Sequence, residues 1–223
     1  MTTTVFIDID NTLLDFDKCA EMSAQMTFGD MGLRYSDKVF PVFTEINNGL
    51  WRDYEEGRIT KTEIHKVRWN LIFEKLRIKE DGVECEKLFY SYLRQSSVKI
   101  TGADELLKYL HSRYTVCAAS NSAYEQQKIR LHNAGLLKYI HYLFVSEDIG
   151  FKKPEKKFFD VCLKRLGDPD KSEVIIIGDS QNADIRGGRA YGIKTCWYNP
   201  FDAADAEGAD YIIKNLSEIK NIL

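Results

Sequence analysis

The chain has 223 residues, with 31 lysines and arginines against 34 aspartates and glutamates, a formal charge of −3, and 44% hydrophobic residues. That length fits one large domain or a core carrying an insertion, and the composition is that of an ordinary globular protein. The weak negative charge excludes an overall field that would draw in a nucleic acid polymer or an anionic membrane surface.

The first apolar run, Thr4 to Ile9, reads as a strand. It ends in Asp8-Ile9-Asp10-Asn11-Thr12. Asp is depleted in strands, and neighbouring carboxylates raise the cost of keeping both ionised. A bound cation would offset that cost. Residues 15–95 then break the strand rhythm. Val39, Phe40, Phe43 and Ile46 fit one helix face, and Ile64, Val67, Leu71 and Ile72 fit another, opened by a Thr60/Glu63 capping box. Phe89, Tyr92 and Leu93 suggest a further helix.

From residue 100 onward strands and helices alternate. The strands are Tyr114 to Ala119, Tyr142 to Val145, Val174 to Ile177 and Lys194 to Tyr198, with a sixth at Tyr211 to Ile213. Helices are marked by Leu106, Leu107 and Leu110, and by Ile129 with His132 before Gly135. Another is marked by Phe158, Phe159, Cys162 and Leu166, with Pro154 in its first turn. This alternation predicts an α/β fold, a doubly wound parallel sheet with helices on both faces. About 80 residues are too many for a normal crossover. They are expected to form a separate, all-helical cap domain inserted after strand 1, over the C-terminal end of the sheet. The expected division is residues 1–14 and 96–223 as a discontinuous core and 15–95 as the cap.

The five cysteines are odd in number and form no C-x-x-C pair, so they suggest neither a disulfide framework nor a zinc knuckle. No apolar stretch reaches 18 residues and no leader pattern opens the chain, so a cytoplasmic location is expected.

Open α/β sheets bind ligands at the carboxyl ends of their strands. There the sequence places Asp8 and Asp10, then Ser120-Asn121, then Lys152-Lys153-Pro154, then Gly178-Asp179 with Asp184 five residues on. Acids, a hydroxyl and a lysine on one rim suit phosphoryl transfer. Oxygen ligands at a small site favour Mg²⁺, and a carboxylate can itself be the nucleophile. A phosphate anion near a carboxylate is repelled by about 4 kcal/mol per charge pair at 4 Å and an effective dielectric near 20. Mg²⁺, with Asp8 and Asp179 as ligands, and Lys153 would offset this.

These four segments resemble the motifs of the haloacid dehalogenase-like hydrolase superfamily over nearly the whole chain. The resemblance implies that Asp8 attacks phosphorus and that Asp10 protonates the leaving oxygen and then deprotonates water. It implies Mg²⁺ held by Asp8, the Asp10 backbone carbonyl and Asp179, with Asp184 acting from behind these ligands or through water. Ser120, with Asn121, would bind a phosphoryl oxygen, Lys153 would neutralise charge, and Thr12 would order the loop after strand 1. Dehalogenases of this superfamily lack the second aspartate, so Asp10 favours a phosphatase.

The stretch Asn47 to Thr60, the stretch Gly178 to Gly188 and Cys196-Trp197 are similar to noncanonical pyrimidine 5′-nucleotidases. That implies a nucleoside 5′-monophosphate substrate and a monomer or homodimer. A small sugar-phosphate or phosphoglycolate phosphatase and a phosphomutase share the core motifs. A phospho-acceptor signalling module is the non-enzyme alternative, but its acceptor would end the third strand. Trp51 and Tyr54 are expected to pack within the cap or to present a stacking surface to a base.

Overall fold

The computed structural model describes residues 2–204 and 207–223. The strands are β1 (Thr4–Ile7), β2 (Thr115–Ser120), β3 (Tyr142–Val145), β4 (Val174–Gly178), β5 (Lys194–Tyr198) and β6 (Tyr211–Ile213). The helices are α1 (Phe16–Asp30), α2 (Val39–Glu55), α3 (Lys61–Leu76), α4 (Gly82–Gln95), α5 (Ala103–His111), α6 (Tyr124–Asn133), α7 (Ser146–Ile149), α8 (Lys156–Arg165) and α9 (Gly187–Tyr191). The chain divides into two compact units, Met1–Asp15 with Ser97–Leu223, and Phe16–Ser96.

In the first unit all strand pairs are parallel, in the order β3-β2-β1-β4-β5-β6. The central strands β1 and β4 are short, apolar and buried on both faces, as helix-covered parallel strands must be. Side chains alternate between the two layers. Val5, Ile7, Val116, Ala118, Ile175 and Ile177 face Leu106, Leu107 and Leu110 of α5. Phe6, Cys117, Ala119 and Ile176 face Phe158, Phe159 and Cys162 of α8. Strand order runs outward in opposite directions from the β1–β4 pair, so the topological switch point lies at their carboxyl ends. Where the chain leaves and re-enters this unit, Leu14 bridges Lys99 and the Asp15 amide donates to the Val98 carbonyl at 2.9 Å.

The second unit contains α1 to α4. Phe28, Phe43, Trp69, Phe73 and Phe89 form its centre, with ring centroids 5.2–6.0 Å apart. Arg68 is buried among them, over the rings of Phe89 and Phe43. A buried guanidinium must be paired. Its Nη2 donates to Glu86 at 2.6 Å, its Nε to the other Glu86 oxygen at 3.1 Å, and its Nη1 to Asn47 at 2.9 Å.

Several local expectations change. Helix α1 had no apolar stripe to announce it, because its buried face is built from small side chains: Cys19, Ala20, Ser23, Ala24 and Thr27 before Phe28. The Ser23 and Thr27 hydroxyls donate back to carbonyls one turn earlier, which lets them be buried. Helix α3 buries Ile64, Arg68, Trp69, Ile72 and Phe73 and leaves Leu71 39% exposed. The larger rings of Trp69 and Phe73 set its rotation in place of Val67 and Leu71. The Thr60/Glu63 capping box forms. Helix α8 begins at Lys156, two residues beyond Pro154. Trp51 and Tyr54 meet edge to face, centroids 5.6 Å apart. Among the described residues no helix is long and apolar enough to cross a membrane.

Candidate active site

Strand β1 stops at Ile7, and the Asp8 amide extends its ladder by one more bond, to the Ile177 carbonyl of β4 at 2.8 Å. Parallel register puts Ile7 beside Ile177, so Asp8 and Asp179 leave adjacent strands at the same rim. The chain then turns sharply. Asn11 takes a left-handed conformation with φ 57°, which Asn tolerates better than most residues. The Leu13 and Leu14 amides fold back onto the Ile9 carbonyl at 2.9 and 2.8 Å.

Four titratable side chains meet here. Carboxylate oxygens of Asp8, Asp179 and Asp184 lie within 4.8 Å of one another. The Lys153 ammonium, 1% exposed, donates to Asp8 at 2.7 Å, to Asp184 at 2.6 Å and to the Ala119 carbonyl at 2.7 Å. One cation faces three acids, and the protonation preferences show the imbalance. Burial raises the Asp8 carboxyl well above the usual range, and Asp184 and Asp179 add to this against the opposing pull of Lys153. Burial, then Asp184, pushes Asp179 up to about 8. Burial alone would lower the Lys153 ammonium, but Asp184 and Asp8 outweigh it and hold it above the ordinary lysine range. The lysine is therefore charged, and the acids remain undercompensated.

The surrounding residues hold these groups in place. Asp184 Oδ2 accepts from the Ser180 amide at 3.2 Å. Gly178 is required by close approach, since a Cβ there would overlap the Asp184 carboxylate. Thr12 donates to Asp179 at 3.3 Å, and the Trp197 indole donates to the Asp179 carbonyl at 2.8 Å. Asn121 uses both ends of its amide on the backbone of Lys153, accepting from its N–H at 2.8 Å and donating to its carbonyl at 2.9 Å. Its side chain thus fixes the lysine. Buried Ser120 accepts two bonds at Oγ, from the Ser122 amide at 3.1 Å and from Gln127 at 2.9 Å. With both lone pairs engaged, its hydroxyl proton is left to donate.

Asp10 points differently from Asp8. One of its oxygens accepts from Gln127 Nε2 at 2.5 Å, and the other pairs with Arg130 Nη1. Its side chain is 28% exposed, whereas that of Arg130 is fully buried. Neither Gln127 nor Arg130 carries a sequence signal of its own, since both are polar positions of α6.

A parallel α/β sheet with a carboxylate cluster at its switch point and a helical insertion directly after β1 defines a hydrolase scaffold of the haloacid dehalogenase kind. The family model described as haloacid dehalogenase-like hydrolase matches residues 2–192, and the chain belongs to that family. It is 32% identical to the HAD-hydrolase YfnB of Bacillus subtilis (strain 168), covering 99% of this chain and 94% of that protein. The crystal structure of YfnB bound to magnesium superposes with a TM-score of 0.94, covering 100% of this chain and 98% of that one. The chain is also 31% identical to the pyrimidine 5′-nucleotidase YjjG of Escherichia coli (strain K12), over 98% of this chain and 96% of that protein. To the pyrimidine 5′-nucleotidase PynA of Streptococcus pneumoniae (strain ATCC BAA-255 / R6) it is 32% identical, over 88% and 83%.

Proposed function

We propose that this hydrolase is a Mg²⁺-dependent phosphomonoesterase that works through an aspartyl-phosphate on Asp8, with pyrimidine nucleoside 5′-monophosphates as substrates. The observation that carries the reaction type is the cluster of buried Asp8 and Asp184 with half-buried Asp179 against the ammonium of Lys153, with Asp10 held beside it.

The donor set fits Mg²⁺: every candidate ligand is a hard oxygen, and once ionised the three acids would carry more charge than Lys153 compensates. Asp8, Asp179 and the Asp10 carbonyl would hold the ion. Asp184, whose oxygens already accept from Lys153 and the Ser180 amide, would support them from behind. When bound, the cation supplies the countercharge that lets an anionic phosphoryl group approach a carboxylate.

The protein's own groups account for the rest. Lys153 binds one Asp8 oxygen, leaving the other for attack on phosphorus. Ser120 donates its free proton to a phosphoryl oxygen. As the ester P–O bond breaks, Asp10 gives a proton to the departing alkoxide. Asp10 then takes a proton from water, whose oxygen attacks the aspartyl-phosphate and releases orthophosphate and free Asp8.

The nucleotide preference is supported by the two relatives named as pyrimidine 5′-nucleotidases. It is tested by assaying the purified protein with Mg²⁺ on nucleoside monophosphates, hexose phosphates and phosphoglycolate in parallel. The expected kcat/KM for a pyrimidine 5′-monophosphate exceeds that for either other class by about tenfold or more, a transition-state preference of about 1.4 kcal/mol. The reverse order would assign the enzyme to small sugar phosphates.

Metal binding is expected to depend on pH with a definite sign. Without metal, Asp179 holds its proton up to about pH 8. A cation must displace that proton, and the one that the raised Asp8 carboxyl also holds, so Mg²⁺ affinity should rise from pH 6 to pH 8. Calorimetric titrations in buffers of different ionisation enthalpy would count the protons released. An affinity that is flat across this range, with no proton release, contradicts the assignment.

A further inference from the structure

Helix α6 turns an unusual face inward: Gln126, Gln127, Arg130 and Leu131 are its buried residues. A buried guanidinium is costly unless it is paired, and this one reaches an acid of the site, Asp10. Arg130 Nη1 bonds one Asp10 oxygen and, at 3.2 Å, the Gln127 carbonyl oxygen. Gln127 Nε2 bonds the second Asp10 oxygen at 2.5 Å and Ser120 Oγ at 2.9 Å. The Asp10 carboxylate is thereby gripped at both oxygens from one helix face. A carboxylate has about four acceptor positions, so each oxygen retains capacity for a proton in transit.

We propose that Arg130 and Gln127 are positioning residues for Asp10, fixing the direction in which it delivers a proton to the leaving oxygen. This rests on the phosphatase reading above. Gln127 also ties the orientation of Asp10 to that of Ser120, so the proton donor and the phosphoryl-binding hydroxyl share one mount.

The test exploits leaving-group chemistry. An alkyl phosphate such as uridine 5′-monophosphate expels a strongly basic alkoxide and needs a well-placed acid, whereas 4-nitrophenyl phosphate expels a stable phenolate and needs little. The parameter kcat/KM reports steps only as far as leaving-group departure when that step is irreversible. Arg130→Met is expected to lower kcat/KM on uridine 5′-monophosphate by about 10²-fold, the lower end of general acid contributions, with a much smaller loss on 4-nitrophenyl phosphate. The loss should lie mainly in kcat. In an Asp10→Asn background the same change should cost nothing further, because residues acting as one unit are not additive. Arg130→Lys should recover part of the alkyl activity. Gln127→Met removes a donor to Asp10 without burying a new charge, and it should show the same selectivity should Arg130→Met fail to fold.

Equal losses on both esters, or losses that add to that of Asp10→Asn, would overturn the positioning role. The underlying reading fails separately: a parent enzyme inactive on both esters with Mg²⁺, or an Asp10→Asn variant without leaving-group selectivity, removes the general acid and this inference with it.

Discussion

Replacing Asp8 with asparagine is expected to lower phosphomonoester turnover by about 10⁵-fold or more, the scale on which loss of a nucleophile acts in other hydrolases. Asparagine keeps the size of the side chain and an oxygen that can accept from Lys153, which now bonds Asp8 at 2.7 Å. What is lost is the anionic oxygen that would attack phosphorus. The fold should not suffer. The carboxyl of Asp8 is raised well above its ordinary range, chiefly by burial and then, against Lys153, by Asp184 and Asp179. For an acid, a folded-state pKa above the unfolded value means that ionisation opposes folding. This opposition grows as pH rises from the unfolded carboxylate range through the folded pKa. The neutral amide removes it, so the metal-free variant at pH 8 should melt at or above the temperature of the parent. Intact-mass measurement of acid-quenched reactions should show a phosphoryl adduct in the parent and none in the variant. An Asn variant with more than trace turnover would sink the covalent mechanism.

The acidic rim was legible because its residues violate strand chemistry. Acids directly after Val5-Phe6-Ile7 and after Ile175-Ile176-Ile177 have no reason to be there unless something compensates them. Parallel register then brings Asp8 and Asp179 together without any further signal. The residues that support the rim left no such mark. Gln127 and Arg130 look like a solvated helix surface, yet α6 has only Ile129 and Leu131 as aliphatic side chains. A helix packed on a sheet needs a buried face, and that shortage was the available clue that polar groups fill it. The same logic hid Arg68 on α3, where a guanidinium occupies a core position because Glu86 and Asn47 lie on neighbouring helices. Helix α1 carries no sequence signal for another reason: small side chains bury well without producing an apolar stripe. The resemblance implies a substrate contact for Asn121, and only the folded chain shows that its amide closes on the backbone of Lys153.

Lys153→Met is expected to damage both the chemistry and the fold, and the pH dependence separates the two. The ammonium is the cation that the structure sets directly against Asp8 and Asp184, at 2.7 and 2.6 Å. Its loss should reduce kcat with Mg²⁺ present by about 10²–10³-fold, as for removal of one preorganised donor to developing charge. Removing one partner of a buried ion pair typically costs about 3–5 kcal/mol, because the other is left uncompensated. In the parent, Lys153 is held above the ordinary lysine range, with burial opposed and outweighed by Asp184 and Asp8. A base with a raised folded pKa stabilises fully below its unfolded value and loses that contribution only as pH climbs through the folded one. Across pH 6 to 9 the lysine contribution is therefore constant. The pH dependence of the variant must come from the acids left behind. Asp179 already holds its proton up to about pH 8, and without Lys153 the acids should hold theirs more tightly. At pH 6 protonation relieves the stranded charges and the stability loss should be small. At pH 8.5 ionisation is forced and the loss should approach the full range. Urea unfolding of the metal-free proteins at these two values measures the difference. A Met variant equally destabilised at both, or not at all, would mean that Lys153 does not compensate the buried acids as its geometry requires.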